Sequence, residues 1–145
     1  MAPVTRLFNA VLLIVWAGSA CAALGGAPEI FEAGCVTSVT PQSGYSVRNT
    51  SLPTGTVIRE YVSDKGLVFA VTWQGPFKPD LRKLLGTHFD AMVEHAKRKP
   101  GAVRSRLSME NPEVVIRSRG HMRAHEGQAW LPAQLPAGFE EADIS

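Results

Sequence analysis

The sequence has little cysteine, little excess charge and no long apolar run. Its 15 basic and 13 acidic side chains give a net charge of +2, which excludes nucleic-acid binding driven by overall charge. The apolar run at residues 7–17 is shorter than the roughly 18 residues that a membrane-spanning helix needs, so a polytopic membrane protein is excluded. With 145 residues, 45% of them hydrophobic, the chain is long enough for one globular domain.

The sequence also lacks the short motifs of catalysis and cofactor binding. It has no Gly-x-Ser-x-Gly nucleophile elbow, and its cysteines and histidines lack the spacing of zinc ligands. Gly25-Gly26 is not followed by the strand and helix of a phosphate-binding loop. We therefore expect no cofactor and no metal ion, and we favour a binding protein over an enzyme.

Residues 1–22 predict a secretory signal peptide. Arg6 precedes the apolar run, which is followed by small residues that end in the Ala-x-Ala pattern at 20–22. We expect cleavage after Ala22 and export to the periplasm or the medium. Two alternatives stay open, an uncleaved anchor and a lipoprotein that carries its lipid on Cys21. Cleavage would leave Cys35 as the only thiol and would exclude an intramolecular disulfide.

The rest of the chain divides into a leader at 23–43 and a single domain at 44–145. The leader mixes Gly, Pro, Ser, Thr and Ala without periodicity, so we expect it to be flexible. The domain begins with a pattern typical of a three-stranded meander at 45–49, 56–63 and 67–74. Apolar residues at spacings of three and four then predict one amphipathic helix between Pro79-Asp80 and Pro100-Gly101.

The second half of the domain returns to strand patterns. Residues 104–109 alternate, and residues 114–125 alternate for longer, with small or apolar residues at even positions and mainly cationic residues at odd ones. We interpret 114–125 as one long strand with a bulge or bend at Gly120, and disfavour a hairpin whose loop is Arg119-Gly120. A last short strand is expected at 129–131. The fold class predicted is α+β: an N-terminal antiparallel meander, one amphipathic helix, then a second group of antiparallel strands.

Several short segments resemble, in order, one family of exported bacterial proteins, grouped as domain of unknown function 2844. The segments are distributed over nearly the whole chain after the signal: Ala23–Gly26, Thr54–Ser63, Val68–Pro76, Pro79–Gly86, Gly120–Ala124 and Leu135–Phe139. The resemblance implies an extracytoplasmic bacterial location and no established activity. It provides no catalytic residues.

Basic residues are concentrated between positions 97 and 123, where only Glu110 and Glu113 oppose them. If the late strands share a sheet, their cations stand on one face, where they could bind an anionic envelope polymer, a lipid headgroup or an acidic protein. Nucleic acid is disfavoured because no aromatic residues are interleaved with the cations. The alternative is a solvated face whose arginines prevent edge aggregation and pair locally with Glu126, Glu60 or the acidic tail. The residues predicted for this anionic-ligand face are Arg104, Arg106, Arg117, Arg119, His121, Arg123 and His125.

Two further hypotheses stay open. One is an envelope hydrolase or metal-dependent enzyme that uses His121 with Glu60 or Asp64 as its acid and base. The other is a structural subunit that assembles through an open sheet edge or through Cys35. The sequence leaves the oligomeric state open.

Overall fold

The computed structural model describes residues 24–98 and 106–144. They form one seven-stranded antiparallel sheet with the strand order β1-β2-β3-β4-β7-β6-β5. The strands are β1 (Val36–Gln42), β2 (Tyr45–Ser51), β3 (Val57–Ser63), β4 (Val68–Gly75), β5 (Arg106–Glu110), β6 (Val115–His121) and β7 (Ala124–Trp130). Two helices, α1 (Leu81–Leu85) and α2 (His88–Arg98), lie between β4 and β5 in the chain. The predicted α+β class, with a meander followed by a second group of antiparallel strands, is confirmed.

The meander has one strand more than the sequence predicts. Strand β1 lies in the segment 23–43 that we expected to be a flexible leader, and it pairs along its whole length with β2. Its seven residues are all exposed, so the strand has no apolar alternation that a sequence pattern could reveal. The two-residue turn Ser43-Gly44 joins the strands, and Gly44 has a φ of 82°, which glycine adopts without strain.

The predicted single helix is interrupted at Gly86-Thr87. Asp80 caps α1 by accepting hydrogen bonds from the backbone N–H groups of Arg82 (3.0 Å) and Lys83 (3.2 Å). Gly86 then adopts a φ of 54°, which ends α1 before α2 begins. The apolar spacing of three and four residues continues across the break and therefore could not reveal it. The predicted stop at Pro100-Gly101 lies outside the described residues.

The predicted long strand at 114–125 is wrong. Residues 115–121 and 124–130 are two strands of a hairpin whose loop is Met122-Arg123, where Arg123 has a φ of 61°. Gly120 forms a regular pair with His125 and no bulge. In the sequence, small or apolar residues keep alternating with cationic ones through the loop although the two faces exchange parity there, so periodicity alone does not reveal the reversal.

The sheet is covered differently on its two faces. The helix face carries the larger apolar core, in which Leu84, Leu85 and Met92 of the helices pack against Ile58, Val71, Trp73 and Ile116 of the sheet. Leu24 joins this core, and the next two residues, Gly25 and Gly26, bond through their backbones to Val68. The second face carries a smaller aromatic core beneath the C-terminal segment 132–144, here called the tail. Among the described residues, no helix is long and apolar enough to cross a membrane.

Candidate functional site

The strand register aligns the side chains of the second face in three rows that cross the sheet. Residues that pair directly across antiparallel strands point to the same face, so each row can be followed from strand to strand. The aromatic row contains Val47, Tyr61, Ala70, Trp130 and Val115. The first polar row contains Arg59, Thr72, Gln128, Arg117 and Ser108. The second polar row contains Val57, Gln74, Glu126, Arg119 and Arg106.

The tail covers the aromatic row and leaves the polar rows open. Phe139 of the tail lies among Tyr45, Tyr61 and Phe69, with ring centroids 5.1, 5.8 and 5.0 Å away. Two adjoining hollows, of about 810 and 860 Å³, occupy the uncovered part of the face, and both are in the size range of ligand pockets. The hollows share the residues Gln74, Gly75, Arg106, Arg119 and Glu126.

Arg117 links the covered and the open parts of the second face. Its guanidinium donates to Glu110 (Nη2–Oε1 2.8 Å) and to Glu141 of the tail, and it lies 5.1 Å from the ring centroid of Trp130. The hydrogen bonds that Arg117 donates to Glu110 and, second in size, to Glu141 raise the pKa of Arg117 above its usual value. The sequence predicts Arg117 as an anion-binding residue, but two carboxylates of this chain already oppose its charge. Its position makes it an anchor for the tail.

Arg106 and Arg119 stand directly opposite each other on β5 and β6. Arg119 forms an ion pair with Glu126, its neighbour on β7, and its side chain remains 64% exposed. Within the described parts of the chain, Arg106 has no carboxylate oxygen within 4.0 Å. Like charges directly opposite on a sheet repel. At the point where the hollows meet, Glu126 therefore opposes the charge of Arg119, while no described carboxylate pairs with Arg106.

Three more residues predicted for this face, His121, Arg123 and His125, all line the second hollow. His121 follows the alternation of Arg119 and lines the second hollow, as does Arg123 from the hairpin loop. His125 pairs with Gly120, so its side chain follows the alternation of the helix face, and the predicted shared face with the arginines is wrong, although His125 lines the same hollow. The two-residue loop reverses the chain, so odd positions of β6 pair with even positions of β7. Arg104 lies outside the described residues.

The residues of the enzyme hypothesis are not brought together. Glu60 is buried on the helix face, where its Oε1 accepts from the Glu29 backbone N–H (2.8 Å) and its Oε2 lies 3.8 Å from Arg48 Nε. Burial raises the pKa of Glu60 above its usual value, and the hydrogen bond and Arg48 oppose that shift. Asp64 lies in the β3–β4 turn, at the end of the sheet opposite His121.

No metal centre emerges from residues 24–98 and 106–144, where no three His, Cys, Asp and Glu side chains are grouped to hold an ion. His95 of α2 contacts the backbone of β5, with its Nε2 3.1 Å from the Ser108 carbonyl oxygen. This contact ties α2 to the sheet.

Sequence reasoning missed several residues of the open face. Arg59, Gln74 and Gln128 line the first hollow, and Arg59 reaches the same face as Arg117 from the far side of β4. The alternation at 56–63 identifies the strand of Arg59. The alternation does not reveal that β7 lies beside β4 in the sheet. That neighbourhood brings Arg59, Gln74 and Gln128 together.

The fold and this face define an α+β protein whose seven-stranded antiparallel sheet is covered by helices on one side and is half open on the other. A model of the family described as protein of unknown function (DUF2844) matches residues 20–144, and the chain belongs to this family. The resemblance drawn from the short sequence segments is thereby confirmed. No curated protein and no solved structure matches the chain.

Proposed function

We propose that the chain is an exported, non-catalytic binding protein that holds an anionic ligand on the open part of the second face. Export rests on the signal pattern of residues 1–22. The observation that carries the ligand class is the opposed pair Arg106 and Arg119 with its single carboxylate, Glu126. An anion between the two guanidinium groups would relieve their repulsion and accept hydrogen bonds from both.

The second hollow concentrates positive charge around this pair. Arg123 and His121 line it together with Arg106 and Arg119, and Glu126 is its only acidic lining residue among those described. Guanidinium groups bind carboxylate and phosphate oxygens in a bidentate manner, so both kinds of anion fit this group of side chains.

The first hollow contains neutral hydrogen-bonding groups in addition to arginines, and it extends the candidate binding surface across the sheet. Thr72, Gln74 and Gln128 lie between the single arginine of β3, Arg59, and the arginines of β6. The polar rows cross five strands, about 19 Å at roughly 4.8 Å per strand spacing. Hydroxyl and amide groups between separated cations suit an extended acidic polymer better than a compact lipid headgroup. We therefore propose an acidic envelope polymer as the ligand.

The test is retention of the purified protein on immobilised polygalacturonate and polyphosphate, at about 50 mM and about 500 mM salt. The double variant Arg106→Gln/Arg119→Gln removes the opposed pair and preserves polar side chains. A matched control, Lys65→Gln/Lys83→Gln, makes the same change in net charge at exposed positions in the β3–β4 turn and on α1.

We expect retention of the wild type and of the control at low salt on at least one polymer, elution at high salt, and loss of retention by the arginine variant. Absence of wild-type retention on both polymers would overturn the proposal. Equal loss in both double variants would also overturn it, because retention would then depend on net charge. Binding to vesicles of anionic lipid without binding to either polymer would mean that the ligand is a lipid headgroup and not a polymer.

A further inference from the structure

We infer that strand β1 is an interface through which two copies of this chain pair edge to edge, antiparallel. The strand order places β1 at one edge of the sheet and β5 at the other. An edge strand presents backbone N–H and C=O groups that can pair with another strand. This inference does not depend on the anionic-ligand face, which lies toward the β5 edge.

The β1 edge lacks the charges that usually protect such an edge. Residues 33–47 contain no Asp, Glu, Lys or Arg, and every residue of β1 is exposed. Val36 and Val39 are 72% and 61% exposed, among the most exposed large apolar side chains described. By contrast, β5 carries Arg106 and Glu110 at its two ends. Charged residues on an edge strand discourage pairing with another chain, so β1 is the more competent edge.

The hydrogen-bonding groups of β1 suit a second copy. The pair Gln42–Tyr45 closes a two-residue hairpin, and such a pair is hydrogen-bonded, so the backbone groups of alternate residues point away from β2. By that alternation Thr37, Val39 and Pro41 face the free edge. The Oγ1 atoms of Thr37 and Thr50 lie 3.0 Å apart, in keeping with a closely spaced, non-hydrogen-bonded pair.

One register of two β1 strands satisfies every donor on this edge. With Val39 opposite its counterpart, the two residues exchange both backbone hydrogen bonds. Each Thr37 N–H then donates to the carbonyl of Pro41 in the other copy. Proline has no N–H, and in this register that leaves no donor unpaired. The two Val39 side chains also meet and bury apolar surface, and no charge opposes the contact.

The test is the molar mass of the purified protein by sedimentation equilibrium across a concentration series, with reductant present to keep Cys35 reduced. Val39→Glu places two like charges opposite each other in the pair, while in the single chain it stands opposite Arg48, a favourable neighbour. Val39→Lys repeats the test if the first variant fails to fold. Val39→Thr is the matched control, because it retains a β-branched side chain without charge.

We expect the wild type and Val39→Thr to approach the mass of two chains as concentration rises. The charged variants should dissociate at least about tenfold more readily, since like charges at an interface are costly. The inference is overturned by a wild type that stays monomeric throughout the series, by charged variants that dimerise like the wild type, or by a dimer that forms only without reductant. In the last case Cys35 would join the chains.

Discussion

The covered and the open parts of the second face are built from the same strands and differ by two residues along each strand. Tyr61 and Arg59 are neighbours on one side of β3, as Trp130 and Gln128 are on β7. The tail folds back over the aromatic row, whereas the sheet stays open over the two polar rows. The comparison shows that the tail docks only on the part of each strand that carries apolar side chains. The position at which polar side chains replace them therefore sets the size of the open part of the face.

The largest effect is expected from removing the side chain that attaches the tail. Phe139 is 8% exposed and makes edge-on contacts with Tyr45 and Phe69. Phe139→Ala should lower the free energy of unfolding by about 3 kcal/mol, because it removes aromatic contacts and leaves a cavity. Urea denaturation measures this effect. The matched control is Phe77→Ala, at a 57% exposed position, and equal losses in the two variants would contradict the docking role of Phe139.

A smaller effect is expected at the boundary between the two parts. Arg117→Ala should cost about 1 kcal/mol of unfolding free energy, since its side chain is 38% exposed and its ion pairs are screened by solvent. Arg106→Ala, on the open part, should change stability by less than about 0.5 kcal/mol. Denaturation of both variants at low and high salt tests this difference. A cost at Arg106 equal to that at Arg117 would show that the open part also has a structural role.

The smallest effect is expected at the buried Glu60 on the helix face, as a change in the pH dependence of stability. The pKa of Glu60 is raised in the folded protein, above its usual value of 4.5, so the folded state binds a proton more tightly than the unfolded state. The stability from this group is present below its usual pKa and is lost as the pH rises through the raised pKa.

Denaturation of the wild type and Glu60→Gln across that pH range measures this contribution. The variant should lose less stability than the wild type as pH rises, because glutamine does not titrate. Parallel pH profiles would mean that burial of Glu60 has no net effect on its titration. Asp64→Asn, in an exposed turn, is the control.

Features of the fold that depend on a few neighbouring residues were predictable from the sequence. The cap at Asp80, the β3–β4 turn and the buried strand β4 follow from residue type and alternation. Strand β1 was not predictable, since both of its faces are exposed and its sequence carries no apolar period. The hairpin loop at Met122-Arg123 was hidden because alternation continues through it.

The candidate site was predictable only in part. Its arginines on β5 and β6 were recognised from charge and alternation, and their shared face is as predicted. Pairing of the arginines with the acidic tail was one of the alternatives, but the sequence does not show that Arg117 is the one opposed by Glu141, or that Glu110 of β5 also reaches it. The reversal at the hairpin places His125 on the other face, which no local pattern indicates.

The sequence by itself determined the α+β class, the meander, the helical segment and the basic character of the late strands, because these depend on side-chain periodicity and residue type within short windows. Only the tertiary structure decided that β7 lies between β4 and β6, which side chains form each row, and which cations are opposed by carboxylates. Those outcomes depend on contacts between residues far apart in the chain. Such contacts form when strand pairing and apolar burial are satisfied for the whole sheet at once.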